Sequence, residues 1–341
     1  MFTDDEIARL SKRLEPYVDG VGPITLSNIV RIHGGASRQT FKFDATRGKY
    51  TVGLILRRDP VASLIDTERA LEFAAYQTFA DSHVPAPRPL LLEETTETLG
   101  SPFFVMERID GGVAGSPYMD GAFGPKAGPL TERFFSVLGK IAATKPAGTP
   151  LADVTETPKP DECWKRELDT WAKVIADDAL EPQPIALAAI RYLRANPPPP
   201  PQRLAIVHGD YRAGNFLHDG DGKLMAILDW EMAHIGDPLE DLAWALDPMW
   251  AGSDPERPMG GVSRARAMAI WEQSSGLTID PRAWRWWSLF AHVKGLAIWI
   301  SSGQTYASGG NTDPINAWAS LYCTQFHNRL ISKKLLAEKF P

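Results

Sequence analysis

The chain has 341 residues, above the size at which a single core usually stops growing, so two lobes are expected. Its net charge is −6 at pH 7, and its 44% hydrophobic and 23% charged residues are ordinary for a globular protein. Its acidic balance without a Lys/Arg run argues against a nucleic-acid partner, and no apolar run approaches the ~20 residues that span a bilayer. Only Cys163 and Cys323 are present, which excludes a disulfide framework and favours a cytoplasmic location.

The first 108 residues predict a small β-rich lobe with one inserted helix. Thr3 and Glu6 have the spacing of a capping box, so a helix is expected to follow and to end near residue 14. A second helix is predicted at 62–80, before the breaker "VPAPRP". The predicted strands are 24–32, 38–45, 49–57, 89–94 and 102–108.

Residues 109–341 predict a larger, mainly helical lobe. Helical periodicity dominates at 131–143, 161–177 and 185–195, and again in a Trp-rich tail from 262 to 335. A short β-hairpin region at 204–230 interrupts this pattern. The fold class is therefore α+β with two lobes, 1–108 and 109–341, and a ligand cleft is expected between them.

The stretch "HGDYRAGN" at 208–215, followed by "ILDWE", carries the main functional signal. Asp210 and Asn215 are five residues apart, the spacing of the catalytic Asp and Asn in phosphoryl-transfer enzymes, where the carboxylate accepts a hydroxyl proton and the amide oxygen binds Mg²⁺. The turn "DGDG" at 219–222 predicts a hairpin that returns Asp229 beside Asn215. Asp210 is therefore the predicted catalytic base, and Asn215 and Asp229 are the predicted Mg²⁺ ligands.

Phosphate binding also requires a cation in the small lobe, paired to an acid on its helix. The third strand ends in Arg57, and strand alternation points Arg58 to the opposite face. On the following helix Glu68 falls at the centre of an apolar stripe and Glu72 at its margin. We therefore expect Arg57 to pair with Glu68 and to contact the phosphates of ATP.

Two short segments are expected to support this site. The turn "HGGASR" joins the first two strands, and its Gly34, Gly35 and Ser37 are predicted to bring N–H and hydroxyl donors to the phosphates. His208 precedes Gly209-Asp210 and is expected to orient the loop by hydrogen bonding.

These residues resemble the aminoglycoside phosphotransferase and choline kinase superfamily, relatives of protein kinases. "IVHGDYRAGNFL" and "ILDWEMAHIGDPLEDLAW" carry the resemblance, and "HGGASRQTF", "LILRR" and "SPFFVMERIDG" occur in the expected order. The chain looks closest to bacterial phosphotransferases related to the kinase domain of acyl-CoA dehydrogenase-associated proteins. The resemblance implies ATP as donor, Mg²⁺ as cofactor, and a hinge at 106–109 in which Met106, Glu107 and Ile109 hold adenine.

The charge of the C-terminal segment helps to choose between classes of acceptor molecule. Residues 261–341 carry a surplus of positive charge, whereas a polycationic aminoglycoside favours an acidic wall. Arg282, Arg285, Trp286 and Lys294 are therefore candidate contacts for an anionic or partly apolar alcohol, with a hydroxyacyl-CoA as the leading candidate. Two alternatives stay open: an aminoglycoside or other antibiotic phosphotransferase, and a nucleotide-binding pseudokinase or scaffold.

Overall fold

The structure is a computed structural model that describes residues 2–32, 39–58, 69–116, 119 and 121–339. A five-stranded antiparallel sheet occupies the N-terminal part, and a mainly helical part follows it. This arrangement confirms the predicted α+β fold class.

The N-terminal sheet has the strand order β1-β2-β3-β5-β4. Its strands are β1 (Ile24–Ile32), β2 (Gln39–Arg47), β3 (Tyr50–Arg58), β4 (Pro89–Glu93) and β5 (Phe103–Glu107). Every neighbouring pair is antiparallel, and each strand lies within two residues of its predicted bounds.

Two helices, α1 (Asp4–Leu14) and α2 (Arg69–Phe79), cover opposite faces of the sheet. Side chains alternate along a strand, so Phe103 of β5 joins the core under α1 while Phe104 joins the core that α2 shares with the helical part. The predicted capping box of α1 is present, with the Thr3 hydroxyl accepting from the Glu6 N–H at 3.2 Å. Residues 62–68 of the second predicted helix lie outside the described residues.

The helical part contains all the helices that the periodicity predicted and two short ones that it did not. The helices are α3 (Ala127–Ala143), α4 (Pro150–Val154), α5 (Cys163–Asp178), α6 (Pro184–Ala195), α7 (Leu239–Ala245), α8 (Arg264–Ser275), α9 (Pro281–Ala307) and α10 (Pro314–Lys339). Helices α4 and α7 have five and seven residues, too few for a periodic pattern to stand out in the sequence. Among the described helices, none is long and apolar enough to cross a bilayer.

Short strands hold the segment between α6 and α7, which contains the predicted catalytic loop. The strands are β6 (Val113–Ala114), β7 (Ala205–Val207), β8 (Phe216–His218), β9 (Leu224–Ile227) and β10 (His234–Gly236). Strands β8 and β9 form the predicted hairpin, and β7 pairs with β10. The catalytic loop therefore leaves one strand pair and enters another, which fixes both of its ends.

Helices α3 and α8 approach each other closely at Gly139. A Cβ atom built there would lie 2.6 Å from the Cβ of Ser274 and 2.9 Å from the carbonyl oxygen of Trp271. Such contacts with a neighbouring helix require the helices to move apart. Gly128, in the first turn of the same helix, has nothing within 4 Å of its would-be Cβ.

We therefore expect Gly139→Ala to lower the free energy of unfolding by about 1–3 kcal/mol through overpacking. Gly128→Ala should leave it unchanged or raise it by up to about 1 kcal/mol, because alanine favours a helix and meets no neighbour. Urea unfolding monitored by circular dichroism measures both values. Equal midpoints for the two variants would contradict the close approach of α3 and α8.

Candidate active site

The backbone of the catalytic loop is held by a buried carboxylate. Asp241 of α7 accepts hydrogen bonds from the N–H groups of His208 (2.6 Å) and Gly209 (2.9 Å). Gly209 has φ +84°, and a Cβ there would lie 2.3 Å from the carbonyl oxygen of Met232. Only glycine fits this backbone, so the residue before Asp210 is fixed both sterically and by hydrogen bonding.

The ring of His208 ties the loop to the segment that carries Asp229. Its Nδ1 accepts from the N–H of Asp210 (3.1 Å), and its Nε2 lies 3.0 Å from the carbonyl oxygen of Leu228. Burial lowers the pKa of His208 to about 4, so the ring is neutral at pH 7 and donates through Nε2. These contacts correspond to the loop-orienting position expected for His208.

Asp210 points its carboxylate into three side-chain donors. Oδ2 accepts from the amide of Asn215 at 2.6 Å, and Oδ1 accepts from the indole N–H of Trp244 at 2.7 Å. The Nε of Arg212 lies 3.1 Å from both oxygens. The carboxylate is therefore fixed in direction, yet its side chain remains 14% exposed.

The hydrogen bonds of Asn215 determine which amide atom faces outward. Its Nδ2 also donates to the carbonyl oxygen of Asp210 at 2.9 Å, so both acceptors that it meets require the nitrogen on that side. Among the described residues its Oδ1 meets no donor. A side-chain oxygen is thus left free at the wall of the cleft.

Asp229 occupies a strained backbone position at the end of the hairpin. Its φ is +68°, a left-handed conformation that non-glycine residues rarely adopt and that often marks a functional site. Its N–H donates to the Tyr76 hydroxyl of α2 at 3.0 Å, and one carboxylate oxygen accepts from Arg57 at 2.9 Å. The second carboxylate oxygen has no partner among the described residues.

Arg57 pairs with Glu72 in the structure, a residue that the sequence placed at the margin of the helical stripe. Nη1 of Arg57 lies 2.5 Å from the carboxylate of Glu72, which is fully buried. The buried face of α2 runs through Glu72, Tyr76 and Phe79, so Glu72 is central rather than marginal. Glu68 itself lies outside the described residues.

Three acids around Arg57, namely Glu72, Asp229 and Glu231, determine the charge states of the group. Burial alone would lower the pKa of Arg57, but Glu72 and Asp229 outweigh it and raise that pKa well above its ordinary value. Burial would raise the pKa of Asp229, but Arg57 lowers it below its usual range. Both groups are therefore charged at neutral pH.

A cleft of about 970 Å³ lies between the sheet and the helical part. Arg57, Asn215 and Asp229 line it, and the predicted hinge residues Met106, Glu107 and Ile109 lie along its wall. Asp210 is joined to this wall by its hydrogen bond with Asn215. Gly34, Gly35 and Ser37 lie outside the described residues.

The donors of the cleft fit a nucleotide with a divalent cation. Within the described part of the chain, the buried Nε of Arg57 lacks a hydrogen-bond partner, a donor suited to a phosphate oxygen. The free oxygens of Asn215 and Asp229 are the hard ligands that Mg²⁺ prefers. The residues present thus match the chemistry of Mg²⁺-bound phosphates.

The four candidate acceptor contacts are not among the described residues that line this cleft. Arg282 and Arg285 are exposed at the start of α9, and Trp286 is buried with its indole N–H on the carbonyl oxygen of Leu193. Lys294 is 1% exposed and bound inside the protein. Spacing on a long helix did not reveal which side faces the core, so the structure does not support these four as acceptor contacts.

Three residues around Asp210 were not predicted: Arg212, Asp241 and Trp244. Arg212 could have been found, because it lies two residues from Asp210 in the same loop. Asp241 and Trp244 lie in the segment "GDPLEDLAW", which carried part of the family resemblance without a role for either residue. Their position beside the loop follows only from the tertiary fold.

Two other groups of acidic and histidine side chains are close enough to suggest a metal. In the group Asp247, His292 and His327, the indole N–H of Trp299 donates to Nδ1 of His327 at 2.8 Å. An indole only donates, so Nε2 of His327 carries a hydrogen toward Asp247 and has no lone pair for a metal. This group is a buried hydrogen-bond network.

In the second group, His234 forms ion pairs with both Glu167 and Glu240. Burial alone would lower the pKa of His234, but Glu167 and Glu240 outweigh it and raise that pKa to about 9. Nδ1 of His234 lies 3.0 Å from the carbonyl oxygen of Met232, and Nε2 lies 3.1 Å from Glu240. Both ring nitrogens face acceptors, as a protonated imidazole requires.

Comparison with known proteins identifies relatives of this chain. The model of a family described as "Phosphotransferase enzyme family" matches residues 28–286. Mouse acyl-CoA dehydrogenase family member 10 is 29% identical over 241 residues, and human acyl-CoA dehydrogenase family member 11 is 25% identical over 319 residues. These matches cover 68% and 89% of this chain but only 22% and 40% of the relatives' own length.

Solved structures share the fold. A Ralstonia eutropha JMP134 protein provisionally named an aminoglycoside phosphotransferase has a TM-score of 0.73 at 20% identity, over 96% of this chain and 97% of its own. A thermostable mutant of aminoglycoside phosphotransferase APH(4)-Ia, solved with AMP-PNP and hygromycin B, has a TM-score of 0.59 at 19% identity. That match covers 95% of this chain and 98% of the mutant.

The raised pKa of His234 predicts a pH-dependent stability. The folded state binds this proton more tightly than the unfolded state, whose pKa is ~6.5. The stabilisation is thus fully present below pH 6.5 and is lost as pH rises toward 9. Between these pH values we expect wild type to lose on the order of 2 kcal/mol more unfolding free energy than His234→Gln. Urea unfolding at both pH values measures this, and parallel losses in the two proteins would contradict it.

Proposed function

Because the chain belongs to the phosphotransferase enzyme family, we propose that it transfers the γ-phosphoryl group of ATP to a hydroxyl of a small molecule. One observation carries the proposal: Asp210 is hydrogen-bonded to Asn215, and Asn215 and Asp229 face the same cleft, each with a side-chain oxygen that meets no donor in the part of the chain that the structure describes. Phosphoryl transfer needs positioned groups and neutralised phosphate charge more than covalent chemistry.

In the proposed mechanism Asp210 accepts the proton of the acceptor hydroxyl. The hydrogen bonds from Asn215, Trp244 and Arg212 fix the direction of its carboxylate, so the hydroxyl is aligned when it binds. Arg212 also places a positive charge within 3.1 Å of the carboxylate, next to where negative charge accumulates during transfer.

The nucleotide is proposed to occupy the cleft between the hinge and Asp229. Among the described residues the backbone N–H of Ile109 meets no acceptor and is available to adenine, while Arg57 donates to the phosphates. Asn215 and Asp229 would hold Mg²⁺, which supplies charge neutralisation at the transferred phosphate when bound. Arg57 replaces the lysine usual in kinases but keeps the positive charge and adds a bidentate donor.

For the acceptor we propose a hydroxyacyl-CoA. The charge of the tail no longer supports this choice, because the residues behind that argument do not line the cleft. The choice rests instead on the relatives named acyl-CoA dehydrogenase family members, whose names link this type of chain to acyl-CoA chemistry. An aminoglycoside is the alternative, favoured by the likeness to structures named for that activity.

A panel of acceptors tests the proposal through ADP release with Mg²⁺ and ATP. The panel contains hydroxyacyl-CoAs, aminoglycosides, choline and sugars. We expect at least one hydroxyacyl-CoA to be turned over, and Asp210→Asn to lower that turnover by about 10²–10⁴-fold, because it removes the base. Thermal shift with Mg²⁺ and ATP should be equal in both proteins, since Asp210 does not line the nucleotide cleft.

Asp221→Asn is the matched control, because Asp221 is an exposed acid of the same hairpin and pairs with Lys126 at the surface. Its turnover should equal that of wild type. Turnover of aminoglycosides alone would replace the proposed acceptor with the alternative. ATP-dependent stabilisation without ADP release from any acceptor would favour a pseudokinase, and unchanged turnover in Asp210→Asn would contradict the proposed base.

A further inference from the structure

A buried lysine contacts the catalytic loop without reaching the cleft. Lys294, in the middle of α9, is 1% exposed. Its ammonium donates to the carbonyl oxygen of Gly209 at 2.5 Å and to the carboxylate of Glu240 at 2.8 Å. The rings of Trp171 and Trp244 lie 5.5 and 5.6 Å from the same nitrogen. The loop residue that it contacts is the one directly before Asp210.

Two adjacent residues of α7, Glu240 and Asp241, hold opposite ends of Gly209, Asp241 directly and Glu240 through Lys294. Asp241 accepts from the N–H of Gly209, and Glu240 binds the lysine that donates to its carbonyl oxygen. The other oxygen of Glu240 binds His234. The N–H and the carbonyl of Gly209 are therefore both held by buried side chains, Asp241 of α7 and Lys294 of α9.

Stability alone is a poor reason for such an arrangement. Removing two charges from water is expensive, and apolar residues of similar size often stabilise a core as well or better. Burial alone would lower the pKa of Lys294, but Glu240 outweighs it and raises that pKa, so the lysine stays charged. Where a buried ion pair is retained, fixing one geometry is the alternative explanation.

The geometry to be fixed is that of the peptide between Gly209 and Asp210. The carbonyl that Lys294 binds belongs to that peptide, whose N–H is bound by His208. Rotation of this peptide would swing the Asp210 carboxylate away from Asn215 and Trp244. Because Gly209 lacks a side chain, resistance to such a rotation comes from the hydrogen bonds at its N–H and at its carbonyl oxygen.

We propose that Lys294 is a positioning residue for phosphoryl transfer: it holds the Gly209 carbonyl and thereby the direction of the Asp210 carboxylate. This inference rests on the function proposed above. Lys294 also lies against Trp244, whose indole N–H binds Asp210, so one cation supports the carboxylate from its backbone and from its side-chain partner.

A single and a double substitution separate an effect of Lys294 on the catalytic loop from an effect on the stability of the fold. Lys294→Met alone leaves Glu240 buried without its main partner and is expected to unfold at a lower temperature. Lys294→Met combined with Glu240→Gln removes both of these charges, and His234 keeps Glu167 as its remaining acidic partner, so the melting temperature should recover toward wild type. The double variant still lacks a donor for the Gly209 carbonyl. We expect its turnover to stay about 10–100-fold below wild type, with the KM for ATP unchanged within twofold.

Hydrogen–deuterium exchange gives a readout that does not depend on the acceptor. In the double variant, exchange of the segment 206–216 should increase at least threefold while the helical core, including α3 and α10, exchanges at the wild-type rate. The matched control is His292→Asn, on the same helix two residues earlier, which loses a buried bond to Asp247 and no contact to the loop. It should melt at a lower temperature with wild-type exchange at 206–216.

The outcomes distinguish this inference from the proposed function. Wild-type turnover and wild-type exchange at 206–216 in the double variant would overturn the positioning role and leave the kinase proposal standing. If wild type releases no ADP with any acceptor, the kinase proposal fails, and the exchange measurement alone decides whether Lys294 holds the loop.

Discussion

A buried guanidinium joins the two parts of the molecule at the cleft. Arg57 extends from β3 and binds Glu72 of α2 and Asp229 of the helical part. It is 9% exposed, so its charge depends on these carboxylates and on that of Glu231, which lies 3.7 Å away. The same contact orients Asp229, whose second carboxylate oxygen has no partner among the described residues. One cation, bound to acids of both parts, thus links the sheet to the cleft wall that carries Asn215.

The parts of the site that the sequence predicted are those encoded locally. Asp210 and Asn215 share one loop, so their five-residue spacing carries the hydrogen bond that the structure shows at 2.6 Å. The hairpin that returns Asp229 beside Asn215 is predicted by a glycine-rich turn between two apolar runs. The strands of the sheet were predicted within two residues because alternation and turns define them, and the capping box fixed the start of α1.

The predictions that the structure changes are those that depend on which face of a helix is buried. A helical stripe through Leu64, Leu71, Ala75 and Phe79 placed Glu72 at its margin, whereas the packed face of α2 runs through Glu72. Lys294 was placed among acceptor contacts because it lies in a Trp-rich basic segment, but α9 is surrounded by other helices and buries the lysine. Trp244 and Asp241 reach the catalytic loop across more than 30 residues of sequence, and no local pattern encodes such contacts.

Anomalous diffraction from crystals grown with Mn²⁺ and a non-hydrolysable ATP analogue tests the central claim most directly. Mn²⁺ accepts the same oxygen ligands as Mg²⁺ and scatters anomalously. We expect a manganese peak bonded to both the amide oxygen of Asn215 and the carboxylate of Asp229, with the phosphates beside it. A peak at Asp247, His292 and His327 instead, or nucleotide without manganese at Asn215 and Asp229, would contradict it.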